Sequence, residues 1–269
     1  MIIPHFHSGL GNHLFQFAAG FTLAKQSGRP LGINPALFVK SSHSDVKYAE
    51  TIFRDLSWLH VPYTPTNMMY QRGDYDYEGL LAAAKAAAPS EVIGLYGYFQ
   101  REDTFRSFRA EISAALNFGD AAADLSRAGI TAADLERGFF IHYRRGDYVG
   151  TTFQVELADY YQEVLRRVKE ARPDAKIFVL SDDIEYCKTI PYLSDATVTW
   201  VEGLGEIASL WLMKKCKLGG AAPNSTFSWW GLYLDCTRPY LFLPECFKPA
   251  QYAFPEATIV PHAAKWDEA

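Results

Sequence analysis

An α/β protein built on doubly wound parallel sheets is the fold class that this chain predicts, and three observations predict it. Short apolar runs alternate with stretches of helical periodicity, the connections between them are mostly short, and polar residues gather directly after the strands. At 269 residues, 49% hydrophobic and 21% charged, the chain suffices for one large domain or for two lobes of ordinary size.

From the start of the chain, residues 2–6 read as an apolar strand, followed by the loop "HSGLGN" and a helical pattern with Leu14, Phe17, Ala18, Phe21 and Ala24 on one face. Asn12 is the expected N-cap and Gly28 the expected stop, and "RPLGI" (29–33) closes a βαβ unit as its second strand. Residues 34–78, rich in Pro, Ser, Tyr and Asp, read as loops and short pieces. A helix at 79–88, a strand at 91–99 and helical stretches at about 101–116 and 121–136 complete a first lobe. From 138 the alternation is regular: strands at 138–143, 176–180, 196–201, 217–222 and 240–243, with helices at 159–171, 183–188, 205–215 and 224–235 between them.

Open parallel sheets bind ligands outside the carboxyl ends of their strands, so the residues just past each strand are diagnostic. Here those positions hold Gly9 and Gly11 with Asn12; Arg144, Arg145 and Asp147; Ser181, Asp182 and Asp183; and Asn224, Ser225 and Thr226. The glycine loop lacks the third glycine of a dinucleotide fingerprint, since Leu14 stands there, and no acidic residue closes the second strand. It either lets a ligand approach the backbone or forms a tight turn with nothing bound.

Arg144 and Arg145 sit at the tip of an apolar strand, where side-chain alternation points them to opposite sides. One fork can grip a phosphate or carboxylate bidentately while the other braces it or Asp147; the plainer alternative is an ion pair with Asp147 alone. Ser225 and Thr226 stand at a helix start suited to phosphate, with capping by Asn224 as the alternative, and Phe227, Trp230 and Leu234 read as core contacts. Asp182 and Asp183 can hold a ribose or base, bind a metal, or cap the next helix. Asp74-Tyr75-Asp76 spells the D-x-D of metal-held sugar nucleotides without a convincing strand before it.

A formal net charge of −5 offers no general basic field, so nucleic acid is not an expected partner. Cys187, Cys216, Cys236 and Cys246 are widely spaced, with no metal-ligand pattern, and read as reduced, buried thiols. The start carries no basic leader and no apolar run reaches the length of a membrane span, which makes the cytoplasm the expected location, with peripheral attachment to the membrane as the alternative. In that compartment the glycosylation sequon at Asn224 is a coincidence.

Four segments together resemble a known family: "SGLGNHLFQFAAGFTLA" (8–24), "HYRRGDYV" (142–149), "FVLSDD" (178–183) and "LMKKCKLGGAAPNSTFSWWGLYL" (212–234). They look like glycosyltransferase family 11, the α-1,2-fucosyltransferases, and more distantly like the α-1,6- and protein O-fucosyltransferases. The resemblance implies a GT-B architecture of two facing Rossmann-like lobes. These would be an acceptor-side lobe at 1–137 and a GDP-sugar lobe at 138–269, whose tail packs back on the first. It also implies inverting transfer of L-fucose from GDP-β-L-fucose to the 2-hydroxyl of a terminal galactose on an oligosaccharide or polysaccharide, with neither metal nor other cofactor.

Carried over by residue, it puts Arg144 or Arg145 on the donor diphosphate with His142 nearby. Gly9, Gly11 and Asn12 would lie beside the nucleotide or sugar, Ser181 and Asp182 near ribose or base, and Asn224, Ser225, Thr226 and Phe227 near the phosphates. Two departures stand out. Ser8 and His13 replace Gly and Gln of the family's G-G-L-G-N-Q. The stretch Gly150-Thr151-Thr152-Phe153 also has no acid where the α-1,6 enzymes have their assigned base. Asp147 is then the first candidate for the base, or else an orienting partner of the arginines. The alternatives are a transferase of another nucleotide sugar and a non-catalytic sugar- or nucleotide-binding protein.

Overall fold

A computed structural model describes residues 1–39, 45–71, 75–195, 197–246 and 252–262. The chain divides into two compact units, Met1–Gly119 and Asp120–Ala269.

In the first unit, β1 (Ile2–Pro4) leads into α1 (Leu10–Ser27), followed by β2 (Asn67–Tyr70), α2 (Tyr77–Ala86), β3 (Ile93–Tyr96) and α3 (Arg109–Ala114). The three strands form a parallel sheet in the order β1-β3-β2. Helix α1 stops at Gly28 as expected, in the left-handed region (φ 70°) that glycine reaches without a Cβ penalty. Its start differs from expectation. Gly9 is the N-cap, its carbonyl accepting from the N–H groups of Asn12 and His13 at 3.0 and 3.2 Å, so Asn12 lies inside the first turn.

Residues 29–33 do not form a strand. They contribute single bridges, Leu31 to Ile2 and Ile33 to His60, because Pro30 has no N–H with which to extend a ladder. The segment read as loops holds β2 and short 3₁₀ turns at Pro35–Leu37, Tyr48–Glu50 and Arg54–Leu59. Asp74 lies outside the described residues, and Asp76 caps α2 by accepting from Gly79 N at 2.9 Å. The stretch expected as one helix over 101–116 is instead two 3₁₀ turns and α3.

The second unit runs α4 (Ala121–Arg127), α5 (Ala132–Glu136), β4 (Gly138–Tyr143), α6 (Ala158–Ala171), β5 (Lys176–Ser181), α7 (Ile184–Lys188), β6 (Val198–Trp200), α8 (Glu206–Lys215), β7 (Gly219–Ala221), α9 (Thr226–Tyr233), β8 (Tyr240–Pro244) and β9 (Thr258–Val260). The expected helix over 121–136 is broken at Gly129 (φ 73°), and Thr131 restarts it with a capping box to Asp134. Both helices lie in the compact unit that begins at Asp120. Helix α4 packs on α8, and Asp134 pairs with Lys176 at the start of β5 at 2.9 Å. Beyond β8 the chain supplies β9, paired with β8 in register Phe242↔Thr258.

The six strands are all parallel, in the order β6-β5-β4-β7-β8-β9. Numbered within this unit, that is the doubly wound 3-2-1-4-5-6 order, with its topological switch point between β4 and β7. Strand β4 is buried on both faces: Phe139 and Ile141 join Val164 and Val168 of α6 in one core layer. On the other face Phe140 lies where a Cβ on Gly220 would stand, 2.3 Å from the ring, so glycine at that point lets β7 pack beside β4. Behind α8 and α9 a single buried guanidinium, Arg238, donates to the carbonyls of Met213, Cys216, Gly231, Leu232 and Asp235. It satisfies the carboxyl ends of both helices, where a cation also meets the negative end of each helix dipole. All four cysteines are free thiols, Cys187 and Cys216 buried and the other two half-buried. Among the described residues no helix is long and apolar enough to cross a membrane.

Candidate active site

The switch point dictates where to look: beyond the carboxyl ends of β4 and β7. Strand β4 delivers Arg144 and Arg145 there, and β7 delivers Pro223, Asn224 and Ser225 at the start of α9. The two tips are tied together, since Arg144 lies over the Tyr148 ring at 5.4 Å and the Tyr148 hydroxyl donates to the Asn224 carbonyl at 3.2 Å. A cavity of about 590 Å³ opens beside them, lined by both arginines with Tyr143, Tyr148, Tyr186 and Asn224 among others.

Each arginine is already engaged, and differently. Arg144 forms ion pairs with Asp147 (2.5 Å) and Asp182 (2.9 Å). Arg145 donates its backbone N–H to Asp182 (2.8 Å) and its Nε to Asp183 (3.1 Å), and its guanidinium lies 3.5 Å from the centroid of the Tyr186 ring. Arg145 is therefore held flat by a carboxylate and an aromatic face, while Arg144 spans two carboxylates. Both oxygens of Asp182 serve the arginine loop, and Gly146 makes that possible: a Cβ there would stand 2.5 Å from Asp182 Oδ2. Asp183 also caps α7, accepting from Tyr186 N, while Ser181 Oγ accepts from Asp183 N. Ser181, Asp182 and Asp183 thus converge on the arginines as a brace.

Helix α9 begins differently from expectation. Ser225, not Asn224, is the N-cap, with no side-chain cap, and Asn224 instead reaches Phe153 O through its amide at 2.8 Å. The N–H groups of Thr226 and Phe227 therefore open the helix without a capping side chain, the arrangement that favours an anion. His142 is buried, its Nδ1 2.9 Å from Ser228 Oγ on the same helix. Burial, with the Arg144 charge beside it, lowers its pKa to about 3, so the imidazole is neutral near pH 7. It joins β4 to α9 from within. Phe227, expected in the core, is half-buried with an edge contact to His142, whereas Trp229 and Trp230 are fully buried.

Gly9, Gly11 and Asn12 belong to the first unit, in and before the first turn of α1, where Asn12 Oδ1 accepts from Gln100 Nε2 at 2.6 Å. His13 is buried among Phe6, Phe38 and Tyr48, and burial lowers its pKa to about 3. Sequence reasoning missed Tyr148 and Tyr186. Their signal was available in their spacing from the arginines and the aspartates, but an aromatic residue in a loop has no period to mark it.

Comparisons with known proteins bear on this arrangement. An α-1,2-colitosyltransferase of Escherichia coli is 36% identical over 102 residues, so the match spans only about a third, 35%, of each chain's length. The O-antigen biosynthesis glycosyltransferase WbnK of Escherichia coli is 24% identical over 84% of this chain and 88% of its own. Among solved structures, the fucosyltransferase NodZ from Bradyrhizobium superposes with a TM-score of 0.55 at 12% identity, covering 88% of this chain and 92% of that one. NodZ α-1,6-fucosyltransferase soaked with GDP-fucose gives 0.53 at 14% identity, with the same coverage. The likeness shows the expected GT-B fold. The family model of glycosyl transferase family 11 matches residues 69–253, which takes in the arginine loop, its aspartate brace and the start of α9; to that family the chain belongs.

Proposed function

We propose that the chain transfers L-fucose from GDP-β-L-fucose to the 2-hydroxyl of a galactose-containing acceptor glycan, with inversion and without a metal. The observation that carries it is Arg144, set at the switch point beside the uncapped start of α9. Departure of GDP builds charge on the β-phosphate while the sugar becomes oxocarbenium-like, so stabilising the leaving group is the main task. Arg144 has five N–H donors and its carboxylate partners take two of its nitrogens; the remainder, with the α9 N–H groups and Thr226, can meet the diphosphate. Arg145, stacked on Tyr186, fixes the loop instead of gripping the donor. Asp147, paired with Arg144, is our first candidate to take the acceptor proton, with an orienting role toward that arginine as the alternative.

The names of the relatives support the linkage and the setting: one is an α-1,2-colitosyltransferase and another serves O-antigen biosynthesis. The first name also favours a second reading, in which the donor carries colitose instead of fucose. Incubation with GDP-fucose, EDTA and a panel of β-galactosides, read by mass spectrometry, tests both. The expected result is a fucosylated product with EDTA present. Product only after adding a divalent metal overturns the arginine-based account. Transfer from a colitosyl donor alone gives the second reading, and binding without turnover makes the chain a sugar-nucleotide binder.

A further inference from the structure

The carboxyl edge of the first unit's sheet carries a feature that the donor chemistry does not use. Strand β1 ends into His5 and His7, β2 ends on Tyr70, and β3 ends on Tyr96 with Tyr98 beyond it. Their rings assemble on one edge. His7 stacks on Tyr96 with centroids 4.9 Å apart and an interplanar angle of 27°, Tyr98 meets His7 edge-on at 4.9 Å, and Tyr70 and His5 flank Tyr96 at 6.0 and 6.1 Å. The three tyrosines are 45–49% exposed and adjoin one another directly or through His7, a contiguous aromatic patch instead of scattered surface rings.

The cluster is built, not loose. Gln16, fully buried, accepts from His7 N at 3.0 Å and donates to the Gly97 carbonyl at 3.2 Å, clamping the ends of β1 and β3 together. Gln71 accepts from the N–H groups of Tyr98 and Phe99 at 3.0 and 2.7 Å. Among the described residues, Ser8 (φ 69°) and Phe99 (φ 53°) are the non-glycine positions in the left-handed region, and each directly follows a ring of the cluster, His7 and Tyr98. Such strain persists where surrounding contacts enforce a geometry with a use. The Nε2 atoms of His5 and His7 are shielded from solvent, so the imidazoles support the cluster from within while the tyrosine rings face outward. Burial keeps both imidazoles below their ordinary pKa, so these two side chains are neutral near pH 7.

π faces interleaved with neutral donors and acceptors, with no formal charge on these five side chains, match a neutral pyranose better than a phosphate or an acidic peptide. We propose that His5, His7, Tyr70, Tyr96 and Tyr98 form a platform whose exposed tyrosine rings stack one pyranose ring of the neutral acceptor glycan through its C–H face. A galactose-like ring fits because its axial 4-hydroxyl leaves the opposite face covered by C–H bonds. This inference rests on the transfer reading above for the word acceptor, but the binding site can be tested without it.

The probes are lactose and GDP-fucose, and the variants are Tyr96→Ala, Tyr96→Phe and, as an exposed tyrosine away from the platform, Tyr63→Ala. Saturation-transfer NMR of lactose with the donor-free protein should show strong transfer for wild type, Tyr96→Phe and Tyr63→Ala, and loss of transfer for Tyr96→Ala. In kinetics, the KM for lactose should rise about tenfold in Tyr96→Ala, as expected for one lost stacking contact, while the KM for GDP-fucose moves by less than twofold. Absence of saturation transfer with wild type, a lactose KM within twofold of wild type in Tyr96→Ala, or an equal rise in both KM values overturns the platform. A wild type that binds lactose in a Tyr96-dependent way yet does not turn over GDP-fucose upholds the platform and overturns the donor assignment.

Discussion

Arg144 and Arg145 are adjacent, yet their surroundings give them different work. Arg144 spans Asp147 and Asp182; Arg145 lies on Tyr186 and pairs with Asp183. A lysine at 144 is a point charge that cannot span two carboxylates and still offer a planar fork to a phosphate. Arg144→Lys should therefore lower kcat/KM for fucosyl transfer by at least about 100-fold, near 3 kcal/mol of transition-state stabilisation, measured in steady state with GDP-fucose. Asp147→Asn separates the two roles of its carboxylate: loss of transfer with donor affinity kept marks the base, whereas near wild-type transfer marks an orienting partner. The residue types at this site are legible in the sequence because strand ends of a parallel sheet announce them. Their division of labour is not, because it depends on which aspartate each guanidinium meets, and two of these, Asp182 and Asp183, stand a helix and a strand further along the chain.

Elements with a strong period are the ones a sequence declares. Strand β4 falls on its expected residues because "GFFIHY" is a continuous apolar run bounded by Arg137 and Arg144, and α6 matches its expected span because Tyr160, Tyr161, Val164, Leu165 and Val168 recur at helical spacing among charged residues. Strand β2 goes unread because only Met69 of its four residues is buried, and β9 because three residues carry no alternation to detect. Capping is harder still: Asn12 and Asn224 are good N-cap types, but the backbone begins each helix elsewhere and turns both side chains to other partners. Strand β7 is a case where residue size decides the element. A Cβ at 220 would meet the Phe140 ring at 2.3 Å, and Phe140 is packed in the centre of the sheet. Gly220→Ala should destabilise the second unit by about 1–3 kcal/mol as overpacking, seen as a lower urea midpoint with an unchanged slope. An unchanged midpoint would mean that the ring can move aside.

Across the whole molecule, two histidines give acid a common point of attack. His13 in the first unit and His142 in the second are buried and neutral, each with a pKa of about 3 against an ordinary value of 6.5. Between those values the unfolded chain binds a proton that the folded chain refuses, so stability falls as pH falls through that window. At pH 5 the loss is about 2 kcal/mol for each histidine. Urea unfolding at pH 7 and pH 5 should show it, and a flat profile would mean that both imidazoles titrate normally. Arg238 works at a similar remove from the chemistry, holding the carboxyl ends of α8 and α9 while the opposite end of α9 faces the candidate site. In a screen scored only by product formed, substitutions at 238 will therefore be mistaken for losses of a catalytic group; measuring activity per folded molecule tells the two apart, because there the defect lies in how many molecules keep their helix in line.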